Sequence, residues 1–179
     1  MADSSDKPAP GSRSESASAL RDAVGAAAGL ATAAVSVTRD QFVKRAAIAN
    51  LYEIEAAKIA LQRAQRKSVK DFAEALLADH EKMGSELRSF LGGTNSPQMP
   101  PDSLDTVHQT MLDDLHGAAD DDFDKRYITQ QKLAHQEAIT LFNAYRRMGS
   151  DGGLTNLAGL ALPVLQKHLD AARRLDRTP

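Results

Sequence analysis

The sequence predicts an all-α protein, a four-helix bundle with one long crossover that contains a short helix. Good helix formers dominate the 179 residues, whereas aromatic residues make up 4% and tryptophan is absent. Four segments carry apolar residues at alternating spacings of three and four, the period of a bundle seam. A chain of this length has room for one domain with a sizeable core.

The N-terminal region is predicted to lie outside the bundle. Residues 1–18 are rich in Ser, Pro, Asp and Gly, so they bury too little apolar surface to become ordered. Residues 19–37 are rich in alanine and are expected to form either a loose helix or a flexible stalk. We therefore divide the chain into a disordered or loosely helical tail, 1–37, and a helical bundle, 38–176.

Capping signals predict where the first two helices begin. Thr38 with Gln41 forms a capping-box pattern that opens a first helix at 39–66. Ser68 with Asp71 predicts the N-terminus of the second helix in the same way. Gly92 and Gly93 are expected to end it, because glycine readily adopts the left-handed conformation that terminates helices.

A long connection separates the two helix pairs. Residues 94–101 contain three prolines, and a short helix is predicted at 103–117. The short turns on either side make the first and second helices one antiparallel pair and the third and fourth another. A connection of this length can run the length of the bundle, which gives the one-crossover topology of ferritin-like folds.

The third and fourth bundle helices also have start signals. Asp121 is expected to cap the third helix at 122–148, and the turn after it contains three glycines. The fourth helix is predicted at 154–175, with a kink at Pro163.

Four polar residues interrupt the apolar stripes at a similar height. His80, His135 and His168 lie on the inward stripes of three helices, and Glu53 flanks the stripe of the first. Each lies about 18–23 Å from the start of its helix, so all four are near mid-height. Asp79 lies at the edge of the same level. The sequence thus predicts one carboxylate and three imidazoles in a single layer.

This layer has two main interpretations. Buried histidines often pair with carboxylates in networks that fix helix register. Alternatively, Glu53, His80, His135 and His168 bind a transition metal such as zinc, iron, copper or nickel. Acid–base catalysis is a third interpretation. A di-iron centre is not expected, since no histidine of the layer has a glutamate three residues before it.

Composition and motifs exclude several functions. The net charge of −2 lacks the basic excess of a nucleic-acid-binding protein, and the absence of cysteine excludes thiolate chemistry. No apolar run approaches the roughly 18 residues of a transmembrane helix. There is no P-loop, dinucleotide fingerprint or nucleophile elbow, so we assign neither catalytic nor cofactor-binding residues and do not expect an enzyme.

Several segments resemble the bacterial ferritin-like family labelled domain of unknown function 4142, whose members are described as exported or outer-membrane proteins. The segments are DQF at 40–42, NLYEIEAAKIAL at 50–61, VKDFAEALLADH at 69–80, FDKRYITQQKLAH at 123–135 and LPVLQKHLDAARRL at 162–175. The family pattern carries over onto Glu53, Asp79, His80, Asp124, Tyr127, His135, Pro163 and His168. The resemblance implies that Asp79, Asp124 and Tyr127 support the polar layer, and that the protein is periplasmic or attached to the envelope.

The leading hypothesis is therefore a non-enzymatic helical bundle of the bacterial envelope that contains a buried histidine–carboxylate network. A role in the stress response is one interpretation of such a protein. Metal binding by the mid-bundle layer is the alternative. A third hypothesis is an interaction module whose partner binds residues 19–37. The partner expected for the chain is a protein partner or, in a homo-oligomer, further copies of the chain. No signal peptide is recognisable, so a cytoplasmic location is the alternative to the envelope.

Overall fold

The computed structural model describes residues 37–94 and 99–178, which contain five α-helices and no strand. These are α1 (Arg39–Arg63), α2 (Lys67–Gly92), α3 (Thr106–His116), α4 (Asp120–Met148) and α5 (Gly152–Arg177). The prediction of an all-helical bundle with a short helix in its crossover is confirmed. The predicted tail lies outside the described residues, apart from Val37. None of the described helices is both long and apolar enough to cross a membrane.

The capping box at the start of α1 is present as predicted. The backbone N–H of Gln41 donates to Thr38 Oγ1 at 3.2 Å, and the N–H of Thr38 donates to Gln41 Oε1 at 3.0 Å. The helix ends at Arg63, earlier than predicted, because Ala64 adopts an extended backbone conformation. The Arg63 guanidinium then donates to the carbonyls of Leu115, His116 and Ala118, which ties the crossover to the end of α1.

The predicted cap of α2 is wrong, and a contact from another helix explains why. Ser68 lies inside α2, and the N-cap position is occupied by Arg66, which has no side-chain cap. Asp124 of α4 instead accepts hydrogen bonds from the backbone N–H groups of Gln65 and Arg66, at 3.0 and 2.9 Å. A carboxylate from α4 therefore satisfies the turn that precedes α2.

The starts of α4 and α5 also differ from the predictions. Asp121 is not a cap but lies in the first turn of α4, where Asp120 and Asp122 add charge favourable to the helix dipole. Asp151 caps α5 by accepting from the N–H groups of Gly153 and Leu154. The end of α2 at Gly92 agrees with prediction, but Gly93 has a right-handed φ of −82°.

The four long helices pack as two antiparallel hairpins, α1–α2 and α4–α5. Arg66 shows their directions, because it binds Asp124 near the start of α4 and the carbonyl of Leu175 near the end of α5. Helices α1 and α5 thus end where α2 and α4 begin, and every neighbouring pair is antiparallel. The crossover returns along the bundle, with α3 against α1 and α4.

The apolar core is divided into two clusters. One surrounds Tyr52, Leu76, Phe123 and Ile128, towards the α1–α2 turn. The other surrounds Phe42, Leu141, Tyr145 and Leu154, towards the opposite end. A polar layer separates them, and its buried members are Glu53, His80, Gln131, His135 and His168. The buried Gln130 instead bonds Tyr52 and the carbonyl of Met111 within the first cluster.

Candidate metal centre

Three of the predicted site residues meet in the middle of the bundle. His80 comes from α2, His135 from α4 and His168 from α5, and each is no more than 3% exposed. Their ring centroids lie 5.3 to 5.7 Å apart. One nitrogen from each ring belongs to a group whose atoms all lie within 4.8 Å of one another. We refer to His80, His135 and His168 as the histidine triad.

The outer nitrogens of His80 and His135 each have an oxygen acceptor. His80 Nδ1 lies 3.1 Å from Asn50 Oδ1 on the facing helix α1. His135 Nδ1 lies 2.9 Å from the backbone carbonyl of Gln131, one helical turn earlier. Carbonyl oxygens can only accept, so both Nδ1 atoms carry the proton in the neutral ring. The Nε2 atoms of the two rings are then left with lone pairs.

His168 donates through Nε2 rather than Nδ1, and it is also left with one nitrogen that carries a lone pair. His168 Nε2 donates to the Asp79 carboxylate at 2.9 Å, so its Nδ1 carries the lone pair. This Nδ1 lies 3.3 Å from His135 Nε2. His80 Nε2 is buried and has no hydrogen-bond partner among the described residues. The lone pairs of His135 and His168 therefore face each other, and the lone pair of the neighbouring His80 ring is left unpaired.

Burial keeps the triad uncharged at neutral pH. Burial, followed by the neighbouring His168, lowers the pKa of His135 to about 3, although the backbone hydrogen bond to Gln131 opposes this. The pKa of His80 is also well below its usual value, through burial and its two neighbouring histidines. Burial lowers the pKa of His168 as well, although Asp79 opposes this. Neutral imidazole is the form that binds metals.

Glu53 lies beside the triad rather than within it. Its Oε1 is 3.5 Å from His135 Nδ1, the nitrogen that faces away from the other two rings. Burial raises the pKa of Glu53 to about 8, while the Gln131 side chain lowers it, so the carboxyl group is mostly protonated at neutral pH. Its Oε2 is buried, with no hydrogen-bond partner within residues 37–94 and 99–178. The structure thus brings together three of the four predicted ligands and places the fourth behind one of them.

The three predicted supporting residues occupy different places. Asp79 contacts the triad directly through His168. Asp124 instead binds the turn between α1 and α2. Tyr127 is fully buried in the apolar cluster near that turn, and its hydroxyl has no hydrogen-bond partner in the part of the chain that the structure describes.

Sequence reasoning missed two partners of the triad and a cavity beside it. Asn50 was placed on an inward stripe but given no role, although a polar residue at such a position is a signal of a buried network. Gln131 acts through its backbone carbonyl, which no residue type could have signalled. The cavity has a volume of about 580 Å³ and is lined by His80, His135 and Glu53 as well as by apolar side chains.

Two solved structures share this fold. A DUF305 fragment from Deinococcus radiodurans has a TM-score of 0.67 at 15% identity, over 77% of this chain and 95% of that one. CopM in its Cu(II)-bound form has a TM-score of 0.67 at 19% identity, over 80% of this chain and 98% of that one. At these identities the likeness concerns the fold. No curated protein sequence matches the chain.

The family comparison covers most of the chain. The model of a domain of unknown function, DUF4142, matches residues 24–175, which include all but the last residues of α5 and extend into the residues before α1. The resemblance noted from the sequence segments is therefore confirmed as family membership, while the ferritin-like label rests on the sequence resemblance alone. The chain belongs to the DUF4142 family.

Proposed function

We propose that this protein binds one transition-metal ion through the histidine triad. The observation that carries the proposal is the orientation of the three rings. One nitrogen of each ring donates to an oxygen, and the lone-pair nitrogens of His135 and His168 lie 3.3 Å apart. One nitrogen from each of the three rings lies within 4.8 Å of the other two. Metal-binding histidines commonly have this arrangement, because the outer hydrogen bond fixes the tautomer and raises the basicity of the ligand.

The donor set favours copper or zinc. Three imidazole nitrogens without thiolate or thioether suit zinc, copper, nickel and iron(II), among which copper(II) binds most tightly. The Cu(II)-bound state of CopM, a protein of similar fold, supports testing copper first. Zinc is the second choice, because three histidines and one open position form a common zinc site.

A purely structural network explains the triad less well. A hydrogen bond between His135 Nε2 and His168 Nδ1 would need a proton on one of these atoms. That proton would either charge a buried ring or leave a lone pair facing the Asp79 carboxylate or the Gln131 carbonyl. A metal ion turns the same lone pairs into favourable ligands.

The proposed role is to hold or deliver metal rather than to catalyse a reaction. The resemblance to exported bacterial proteins supports a place in the bacterial envelope, where metal handling under stress would fit such a site. This location and this role are part of the proposal.

The first test is metal content and metal-dependent stability. Chelator-treated protein is melted with and without copper, zinc, nickel and iron(II), and untreated protein is assayed for metal. An ion at 100 times its dissociation constant adds about 2.7 kcal/mol. For a domain of this size that is a rise in melting temperature of roughly 5–10 °C. The rise should disappear in His80→Ala and persist in His116→Ala, which removes an exposed histidine of α3.

The absence of metal binding would contradict the proposal and would leave a different, testable role for the triad. If no ion is stoichiometric and none shifts the melting temperature, the triad is a structural network. His80→Ala would then cost about 1–3 kcal/mol with or without metal, because it leaves Asn50 without its partner.

A further inference from the structure

The cavity beside the triad has the dimensions of a small-molecule site. Its volume of about 580 Å³ lies within the range of ligand pockets. Small residues from all four long helices line it, and because their side chains are short, the space between the helix backbones stays unfilled. These residues are Ala46, Gly84, Ala138, Ala158 and Ala161.

The cavity reaches the triad from one side. His80 and His135 line it, whereas His168 does not. His80 Nε2 is buried and has no hydrogen-bond partner in the described part of the chain, and His80 is one of the three residues whose nitrogens converge. A molecule in the cavity can therefore reach an ion held by the triad without passing through the apolar clusters.

The charge of the bound metal ion indicates which head group the molecule in the cavity should carry. Three neutral imidazoles leave the charge of a divalent ion uncompensated, so an anionic fourth ligand is favoured. At the exposed rim, Lys82 and Arg88 are matched by Glu86 and Asp102. Asp79 also lines the cavity, but its carboxylate is engaged by His168 and Lys167, so the rim has no strong preference of its own. The selective charge is at the inner end of the cavity.

The apolar side chains that line the cavity indicate that the rest of the molecule is apolar. Phe42, Met83, Phe142, Leu157 and Leu165 present apolar surface along the cavity. We infer that the cavity binds a monocarboxylate with an apolar body, whose carboxylate completes the coordination of the ion held by the triad. This inference rests on the proposed function, and it adds the class of ligand that the site accepts.

The test compares carboxylates on the full chain loaded with cobalt(II), whose visible spectrum reports changes of ligand. Octanoate should change the spectrum and bind at least about 10-fold more tightly than acetate, because its chain is buried in the cavity. Octanol, which keeps the chain and lacks the charge, should bind at least about 10-fold more weakly than octanoate. Octanoate should bind the metal-free chain at least about 10-fold more weakly as well.

Variants that fill the cavity separate this inference from the proposed function. Ala161→Phe and the milder Ala138→Leu should abolish the preference for octanoate over acetate and leave cobalt affinity within about 2-fold of wild type. Gln166→Phe, on the exposed face of α5 and outside the cavity, should keep the preference. Two variants are used so that one failure to fold does not remove the test.

The outcomes are distinct. A chain that takes up no metal overturns the proposed function and this inference together. A cobalt-loaded chain that binds octanoate no better than acetate overturns the inference and leaves the metal site standing. Equal octanoate binding with and without cobalt, or binding unaffected by both cavity variants, also overturns it.

Discussion

Gly84 controls the position of a residue that orients the triad. A Cβ atom at this position would lie 2.7 Å from Asn50 Nδ2, closer than such atoms pack. The same Asn50 side chain accepts the hydrogen bond from His80 Nδ1. A hydrogen atom in place of a methyl group therefore lets α2 approach α1 closely enough for Asn50 to set the tautomer of His80.

We expect Gly84→Ala to weaken metal binding by about 10-fold, because it displaces the Asn50 amide that supports a ligand. It should also cost about 1–3 kcal/mol of stability through overpacking. Competition titration against a chelator and urea unfolding measure the two effects. Gly92→Ala is the control on the same helix, since its Cβ would meet nothing within 4 Å. Equal metal affinity in the two variants would show that Asn50 does not position His80.

The residues of the triad could be predicted, but their orientation could not. Position along a helix follows from the sequence, so His80, His135 and His168 were placed at one level. Which ring nitrogen faces inward depends on acceptors from other helices or earlier turns, such as Asn50 for His80. Glu53 was at the right height as well, and only the rotation of α1 places it behind His135.

At the level of single helices, Asp151 links the start of α5 to α1. It accepts hydrogen bonds from the N–H groups of Gly153 and Leu154 and pairs with Arg39 Nε at 3.0 Å. Burial raises its pKa, but these contacts lower it more, so the net pKa is below the usual value. The cap is therefore strongest when the carboxyl group is charged.

Asp151→Ala should cost about 1–2 kcal/mol as a lost N-cap. Asp151→Asn keeps an oxygen acceptor and removes the charge, so its deficit should depend on pH. Because the folded pKa is lowered, the charge stabilises fully above about pH 4, and this stabilisation is lost as pH falls through the folded pKa. Urea unfolding between pH 2.5 and 7 measures this, with Ser150→Ala as the control. A deficit that stays constant over this range would contradict the role of the charge.

Helix boundaries were predictable where the cap is local. The capping box of Thr38 and Gln41 is contained within four residues, and it was found from the sequence. The start of α2 was misplaced because its turn is held by Asp124, which is more than fifty residues away. No local pattern could have signalled that contact.

For the whole molecule, the neutral triad predicts a loss of stability in acid when no metal is bound. The folded-state pKa values of all three histidines are lowered, so the unfolded chain binds more protons below its own histidine pKa of about 6.5. The contribution of the three histidines is therefore fully present above that pH and falls as pH decreases. Glu53 acts in the opposite direction, because burial raises its folded-state pKa to about 8 and its protonation adds stability as pH falls through that value. It offsets about one of the three histidines. The limit is about 1.4 kcal/mol per pH unit for each histidine.

Urea unfolding of the metal-free chain from pH 8 to 5 measures this slope. His80→Ala should reduce the slope, whereas His116→Ala, which removes an exposed ring, should not. A slope below about pH 6.5 that is the same in His80→Ala as in the wild type would show that the His80 ring is not held neutral.

The overall architecture was predictable because helix periodicity and connection lengths are properties of the chain itself. The cavity was not, although its alanines were visible on the predicted stripes. Small residues at facing positions can either draw helices together or leave a space between them. The larger side chains elsewhere in the two apolar clusters decide which of these occurs.

The division of the core into two apolar clusters by a polar layer also limits how the helices can slide. Helix faces rich in alanine are smooth, and a shift of one turn, about 5.4 Å, would cost such faces little. Here a shift of α2 by one turn would separate His80 from Asn50 and press an imidazole against apolar side chains. The polar layer thus fixes the register of the helices along the bundle axis, which their alanine-rich faces alone would leave unspecified.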